Sequence, residues 1–286
     1  DLMLRDYGDH DARFALASVW MEMGQYDRAR HEFDSLTTDP KWQVQSGFSM
    51  AVIDAQQGEL ESALKRFDAV SGGPLEFDAR LNAVSALAGL GRTGEARDRL
   101  AEIRKRFPNE SARLYLIESE VLSKGQDFKA AYDVLSEAIQ QMPGQPDLLY
   151  SRALVAERMG RVDLLESDLK KVLEQKPNDP LVLNALGFSL ADNLRDRVDE
   201  AEGYIKRAMA QRTGDPAILD SYGWVLYRKG KHRESLVYLR KAYGLFRDPE
   251  IAAHLGEVLW VSGQKAEAKK IWGEGSSKSP DQDDIQ

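Results

Sequence analysis

Along most of the chain, apolar residues recur at i, i+3, i+4 and i+7, as in Leu183, Leu186 and Leu190, or Leu219, Tyr222 and Leu226. This is the period of an amphipathic helix, and no strand-like alternation competes with it. The periodic segments run for about 12–15 residues and are cut at regular distances. Pro40, Pro74, Pro108, Pro143 and Pro177 are 34, 34, 35 and 34 residues apart. Pro146, Pro180, Pro216 and Pro249 each open a periodic segment, and no proline falls inside one. That placement is expected of breaks between helices, because proline lacks the N–H that a helix interior needs.

Glycines keep the same interval. Gly24, Gly58, Gly91, Gly125 and Gly160 are 34, 33, 34 and 35 apart, and Gly230 and Gly263 continue the series. Each sits where a left-handed residue would end a first helix. Small residues hold one slot in the first helix of each pair (Ala17, Ala51, Ser119, Ala153, Gly187, Gly223, Gly256) and one in the second (Ala29, Ala63, Ala96, Ala131, Ala201, Ser235, Ala268). Val84 and Leu165 fill those slots once each. Small residues there let two helix axes approach. A single hairpin cannot cover its own apolar face, so stacking of neighbours is expected to do so.

The pattern predicts eight hairpins, at 10–40, 44–74, 77–108, 112–143, 146–177, 180–213, 216–247 and 249–275. The sixth lacks the turn glycine and reads "ADNLRDRVDEA", with two extra residues, so a protruding turn is expected there. Residues 1–9 read as the end of a preceding helix or a linker, and the chain as a piece of a longer protein. Residues 276–286 have lost the periodicity and read as a flexible tail.

Composition narrows the function. The net charge is −8, which argues against nucleic acid or an anionic membrane surface as the main partner. There is no cysteine, hence no disulfide, thiolate nucleophile or Cys-ligated zinc. No run of about 18 apolar residues is present to span a bilayer. The four histidines (His10, His31, His232, His254) have no i,i+4 pair among them, so no metal site is expected. Acidic and basic residues run together, as in "EIRKR" and "ESDLKK", and read as solvated helix faces. No strand–turn–helix elbow exists to expose a nucleophile, and Gly223 to Gly230-Lys231 has the wrong spacing for a phosphate loop. Neither catalysis nor a cofactor is expected.

The 34-residue helix–turn–helix, with its small slots, turn glycine and closing proline, resembles the tetratricopeptide repeat (TPR) over nearly the whole chain. The resemblance implies an all-α solenoid, a right-handed superhelix of about eight repeats whose concave groove is lined by first helices. It also implies binding rather than catalysis. The last three repeats, "LNALGFSLADNLRDRVDEAEGYIKRAM", "DPAILDSYGWVLYRKGKHRESLVYLRKA" and "DPEIAAHLGEVLWVSGQKAEAKKIW", are similar to the C-terminal part of Gram-negative TPR outer-membrane lipoproteins. Among these the resemblance is to the lipoprotein adaptors of a periplasmic carboxyl-terminal processing protease. It implies a periplasmic location under the outer membrane, held by a lipid anchor outside this sequence. It also implies partners among proteins: the protease and its substrates, peptidoglycan cross-link hydrolases. Two other readings stay open, a regulatory region of an enzyme whose catalytic part lies elsewhere and an envelope assembly or secretion factor.

In the TPR register, the fifth slot reads Phe14, Phe48, Leu81, Leu116, Tyr150, Asn184, Asp220 and Ala253. The ninth reads Ser18, Val52, Ser85, Glu120, Leu154, Phe188, Trp224 and Glu257. The Lys and Asn that some TPR proteins place there to clamp a peptide carboxylate are missing. The candidate protein-binding groove is therefore Tyr150, Arg158, Asn184, Phe188, Asp220, Trp224, Tyr227, Arg228, Glu257 and Trp260. Aromatic and Arg side chains of this kind dominate binding hot spots, while each aromatic could equally pack between repeats. Asp220, Trp224, Tyr227 and Arg228 form one stripe. Lys229, Lys231, His232 and Arg233 are expected around a solvent-facing turn.

Overall fold

The structure is a computed structural model that describes residues 10–276. The expectations for residues 1–9 and for the tail beyond Ser276 lie outside the described residues. Among the described residues, sixteen α-helices follow one another, paired as hairpins. They are α1 (His10–Glu22) and α2 (Tyr26–Ser35), α3 (Gln43–Gln56) and α4 (Leu60–Ala69), α5 (Glu76–Gly89) and α6 (Thr93–Arg106), and α7 (Ser111–Lys124) and α8 (Phe128–Gln141). There follow α9 (Pro146–Arg158) and α10 (Val162–Gln175), α11 (Pro180–Asn193) and α12 (Val198–Gln211), α13 (Pro216–Arg228) and α14 (His232–Leu245), and α15 (Pro249–Val261) and α16 (Lys265–Ser276). No strand occurs among the described residues. The described residues form two compact units, divided between Val134 and Leu135.

Each unit follows the same logic. The two helices of a pair pack together, and the second helix of one pair packs on the first of the next. First helices also touch in order, α1 with α3 and α3 with α5 in the first unit, α11 with α13 and α13 with α15 in the second. This ordering leaves those first helices side by side within each unit. Phe67, Leu87 and Leu100 are fully buried at one seam, and Leu239, Leu255 and Leu259 at another. Each such side chain contributes roughly 1.5–3 kcal/mol relative to exposure.

Local chemistry sets the helix ends. Asp179, Asp215 and Asp248 are N-caps that accept backbone N–H groups, and a proline follows each at the first helical position. Most turn glycines have φ between 69° and 82°, where a side chain would be strained. The fourth hairpin departs from the expected spacing. Gly125 has φ −77°, and Gln126 takes the left-handed position at φ 61°. The glycine interval was off by one there, and a glutamine bears the strain.

Close approach explains the small slots. A Cβ on Gly223 would lie 2.6 Å from Leu239 Cγ, and one on Gly256 would collide with the Trp272 indole. In the sixth turn, where the extra residues predict a protrusion, Asp192, Asn193, Arg195 and Asp196 are exposed. Arg195–Arg197 form a single 3-10 turn. Arg197 is clamped in it by Glu166 of the preceding repeat, at 2.7 Å on both oxygens, and by Glu200.

The charged faces need a larger correction. Asp168, within "ESDLKK", is 2% exposed and receives both prongs of Arg152, at 2.7 and 2.8 Å. Arg152 also donates to Ser136 of the preceding repeat. Arg104, within "EIRKR", reaches buried Glu118 at 2.6 Å and lies over the Tyr115 ring. Buried Asp54 on α3 is held by Arg30 of the previous hairpin and by Arg66 of its own. These carboxylates sit at seams between packed helices, where two charged contacts apiece, from one Arg at Asp168 and from two at Glu118 and Asp54, offset the desolvation of a charge.

Candidate protein-binding cleft

The ten groove residues fall into separate environments. Asn184 and Phe188 on α11 and Asp220 on α13 come together in one cleft of about 260 Å³. Glu157 at the end of α9, Ser221 on α13, and Phe246, Asp248 and Glu250 around the start of α15 complete it. The volume is below the roughly 300–1,000 Å³ of small-molecule pockets and suits one or two side chains. Phe188 supplies an apolar wall, and Phe246 is 59% exposed at the rim.

The cleft's polar groups are acidic. Burial pushes the Glu157 carboxyl above its ordinary pKa, and the charges of Glu250 and Asp192 add to the effect. Asp220 is 5% exposed. Its Oδ2 pairs with His254 Nδ1 at 2.7 Å, while its buried Oδ1 accepts nothing from the protein. Asn184 Oδ1 is likewise buried without a protein donor. Burial disfavours the His254 imidazolium, but the hydrogen bond and charge of Asp220 outweigh it and raise the pKa. Asp248 is already engaged as the α15 N-cap, accepting from the Glu250 N–H at 2.8 Å.

The rest of the expected stripe turns away from this cleft. Trp224 is buried, stacks on His254 with ring centroids 4.3 Å apart, and donates its indole N–H to Asp192 at 3.0 Å. Arg228 donates to the Asp192 backbone carbonyl at 2.9 Å. Tyr227 donates to Glu257 of the next repeat at 2.9 Å. Three of the four stripe residues thus join repeats: Trp224 and Arg228 hold Asp192 of repeat six near the end of α11, and Tyr227 reaches Glu257 of repeat eight. The packing alternative applies to Trp224. Lys229 also belongs to a seam, bridging to Asp199 and Glu202 of the preceding repeat rather than facing solvent. Trp260 is exposed at the far end, with the Lys265 ammonium 5.1 Å above its ring. Tyr150 is half-buried and Arg158 exposed on α9, and neither lines the cleft.

Sequence reasoning missed Glu157, Phe246, Asp248, Glu250 and His254. The first four lie at helix ends and in an inter-repeat connection, which periodicity treats as punctuation. A large apolar residue in that connection, Phe246 in "FRDPE", was the available signal.

No model of a known protein family matches the sequence. A curated protein of Pseudomonas aeruginosa described as TPR repeat-containing is 37% identical over 210 residues, which is 73% of this chain and 35% of that protein. The chain thus spans about a third of that relative's length. Among solved structures, a tetratricopeptide repeat protein from Parabacteroides merdae superposes with a TM-score of 0.65 at 14% identity, over 84% of this chain and 94% of its own. A TPR protein of Thermus thermophilus superposes with a TM-score of 0.54 at 20% identity, over 59% and 92%. The fold is that of the tetratricopeptide-repeat proteins, which act in general by holding other polypeptides.

Proposed function

We propose that this chain is a non-catalytic adaptor that holds a periplasmic carboxyl-terminal processing protease, its peptidoglycan cross-link hydrolase substrates, or both, and so promotes proteolysis. A lipid anchor outside the sequence places it on the periplasmic face of the outer membrane. The observation that carries the reading is the cleft of aromatic and polar side chains across α9, α11, α13 and α15. Its size suits one or two side chains of a polypeptide. The choice of setting follows from the C-terminal resemblance alone; the Pseudomonas relative supports the repeat family.

Envelope extracts passed over the immobilised chain should yield a processing protease or a wall hydrolase. Adding the chain to both purified partners should speed cleavage. Recovery of cytosolic proteins alone, with cleavage unchanged, would refute the adaptor reading.

A further inference from the structure

The adaptor reading leaves open what feature of a partner the cleft reads. We propose that the cleft between α9, α11, α13 and α15 is a cation-recognising subsite. It takes one Lys or Arg side chain of the bound polypeptide, its methylene stem along Phe188 and Phe246. The inference rests on the adaptor reading and specifies the partner's chemistry at that site.

Two independent observations carry it. The first is charge: Glu157, Asp220, Asp248 and Glu250 all line one small cleft, and no Lys or Arg is among its lining residues. Arg158 lies beside Glu157 at the end of α9 and His254 pairs with one oxygen of Asp220, so acid remains in excess. The second is hydrogen bonding. Asp220 Oδ1 and Asn184 Oδ1 are buried acceptors that no protein group donates to, in residues that both line the cleft. Buried polar groups are nearly always paired, with protein or with water, so these two acceptors are open to a donor that the described residues do not supply. An ammonium or guanidinium is donor-only and answers both the charge and the acceptors. The apolar walls suit the stem of such a side chain, which buries its methylenes while its head finds polar groups. A bare metal ion fits less well, because among the described residues no three His, Asp or Glu side chains converge to hold one.

The test is calorimetric titration of the full chain with short blocked peptides, acetylated and amidated, carrying Lys between leucines. Matched peptides carry norleucine or Glu in place of Lys, and a further norleucine peptide has a free N-terminus. The Lys peptide should bind about tenfold or more tightly than blocked norleucine, as expected for a close charge pair, and the Glu peptide weakest. Raising salt beyond about 0.15 M should narrow the gap. Glu157→Gln with Glu250→Gln should bring Lys and norleucine toward equality while helicity by circular dichroism is unchanged. The control pair Glu234→Gln with Glu267→Gln, which removes the same charge elsewhere, should leave the preference intact. Equal affinity for Lys and norleucine, a preference unmoved by the cleft variant, or no measurable binding would overturn the proposal. Equal binding by the free-amine norleucine peptide would overturn it too, since the site would then read a chain terminus. Any of these with envelope capture intact refutes the cation subsite alone; loss of capture refutes the adaptor reading beneath it.

Discussion

Gln126 shows how a single position departs from a repeat without breaking it. The backbone there needs φ near 60°, which glycine adopts freely and glutamine does not. Gln126→Gly should therefore raise stability by up to about 1 kcal/mol in urea unfolding, the strain removed outweighing the flexibility added to the unfolded chain. Gly160→Ala, at a true left-handed position, should cost about 1 kcal/mol, whereas Gly125→Ala should be tolerated because its φ is −77°. A larger effect is expected at Asp168. Arg152→Ala would strand a carboxylate that is 2% exposed, and the loss should be about 3–5 kcal/mol by the same measurement. A loss under 1 kcal/mol would mean that Lys171, 3.7 Å from the carboxylate, takes over the pairing.

Hairpins are fixed first by how close their two helices come. Gly256 faces the Trp272 indole with no room for a methyl group. Gly256→Ala should cost about 1–3 kcal/mol and alter Trp272 emission, since overpacking displaces a large ring or the backbone. Between hairpins, polar links span about one repeat of sequence: Arg99 to Asp68, Arg197 to Glu166, Lys229 to Asp199, Tyr227 to Glu257. These tie each pair to its neighbour, where a solenoid needs its cooperativity. The sixth turn extends the same principle. Asp192, in the last turn of α11 just before the connection, accepts from Trp224 and Arg228. Asp192→Ala should lower the melting temperature and expose Trp224 to solvent quenching, with helix content at low temperature retained.

The electrostatics of the chain predict its pH profile. Ion pairs hold Glu166 and Glu202 at about 2, through Arg197 and Lys170 in one case and Lys206 and Lys229 in the other. The unfolded chain binds these protons first, so their stabilisation is full above about 4.5 and is lost as pH falls toward 2. His254 and Glu157 act in the other direction. The imidazolium's contribution is full below 6.5 and fades as pH rises through its raised folded pKa. Buried Glu157 is costly when ionised, and that cost is relieved as pH falls toward 4.5. Melting temperature should therefore peak between about 4.5 and 6.5 and fall on both sides. Glu157→Gln should flatten the neutral side by stabilising the protein there. A profile that keeps rising through neutral pH would contradict these assignments.

The sequence alone was enough to establish the helices, their pairing and the repeat interval. Period, proline, N-cap aspartate and turn glycine are properties of a residue and its near neighbours. Asn184, Phe188 and Asp220 were legible as binding candidates for the same reason: their slots follow from the register. Tertiary structure decided the rest. Whether Asp168 is solvated or buried, and whether Trp224 faces a ligand or a neighbouring histidine, depends on a side chain brought in by another helix. Glu157 and Phe246 join one cleft although they lie in different repeats, far apart along the chain. A one-dimensional repeat does not contain that proximity; it arises only when successive first helices pack side by side.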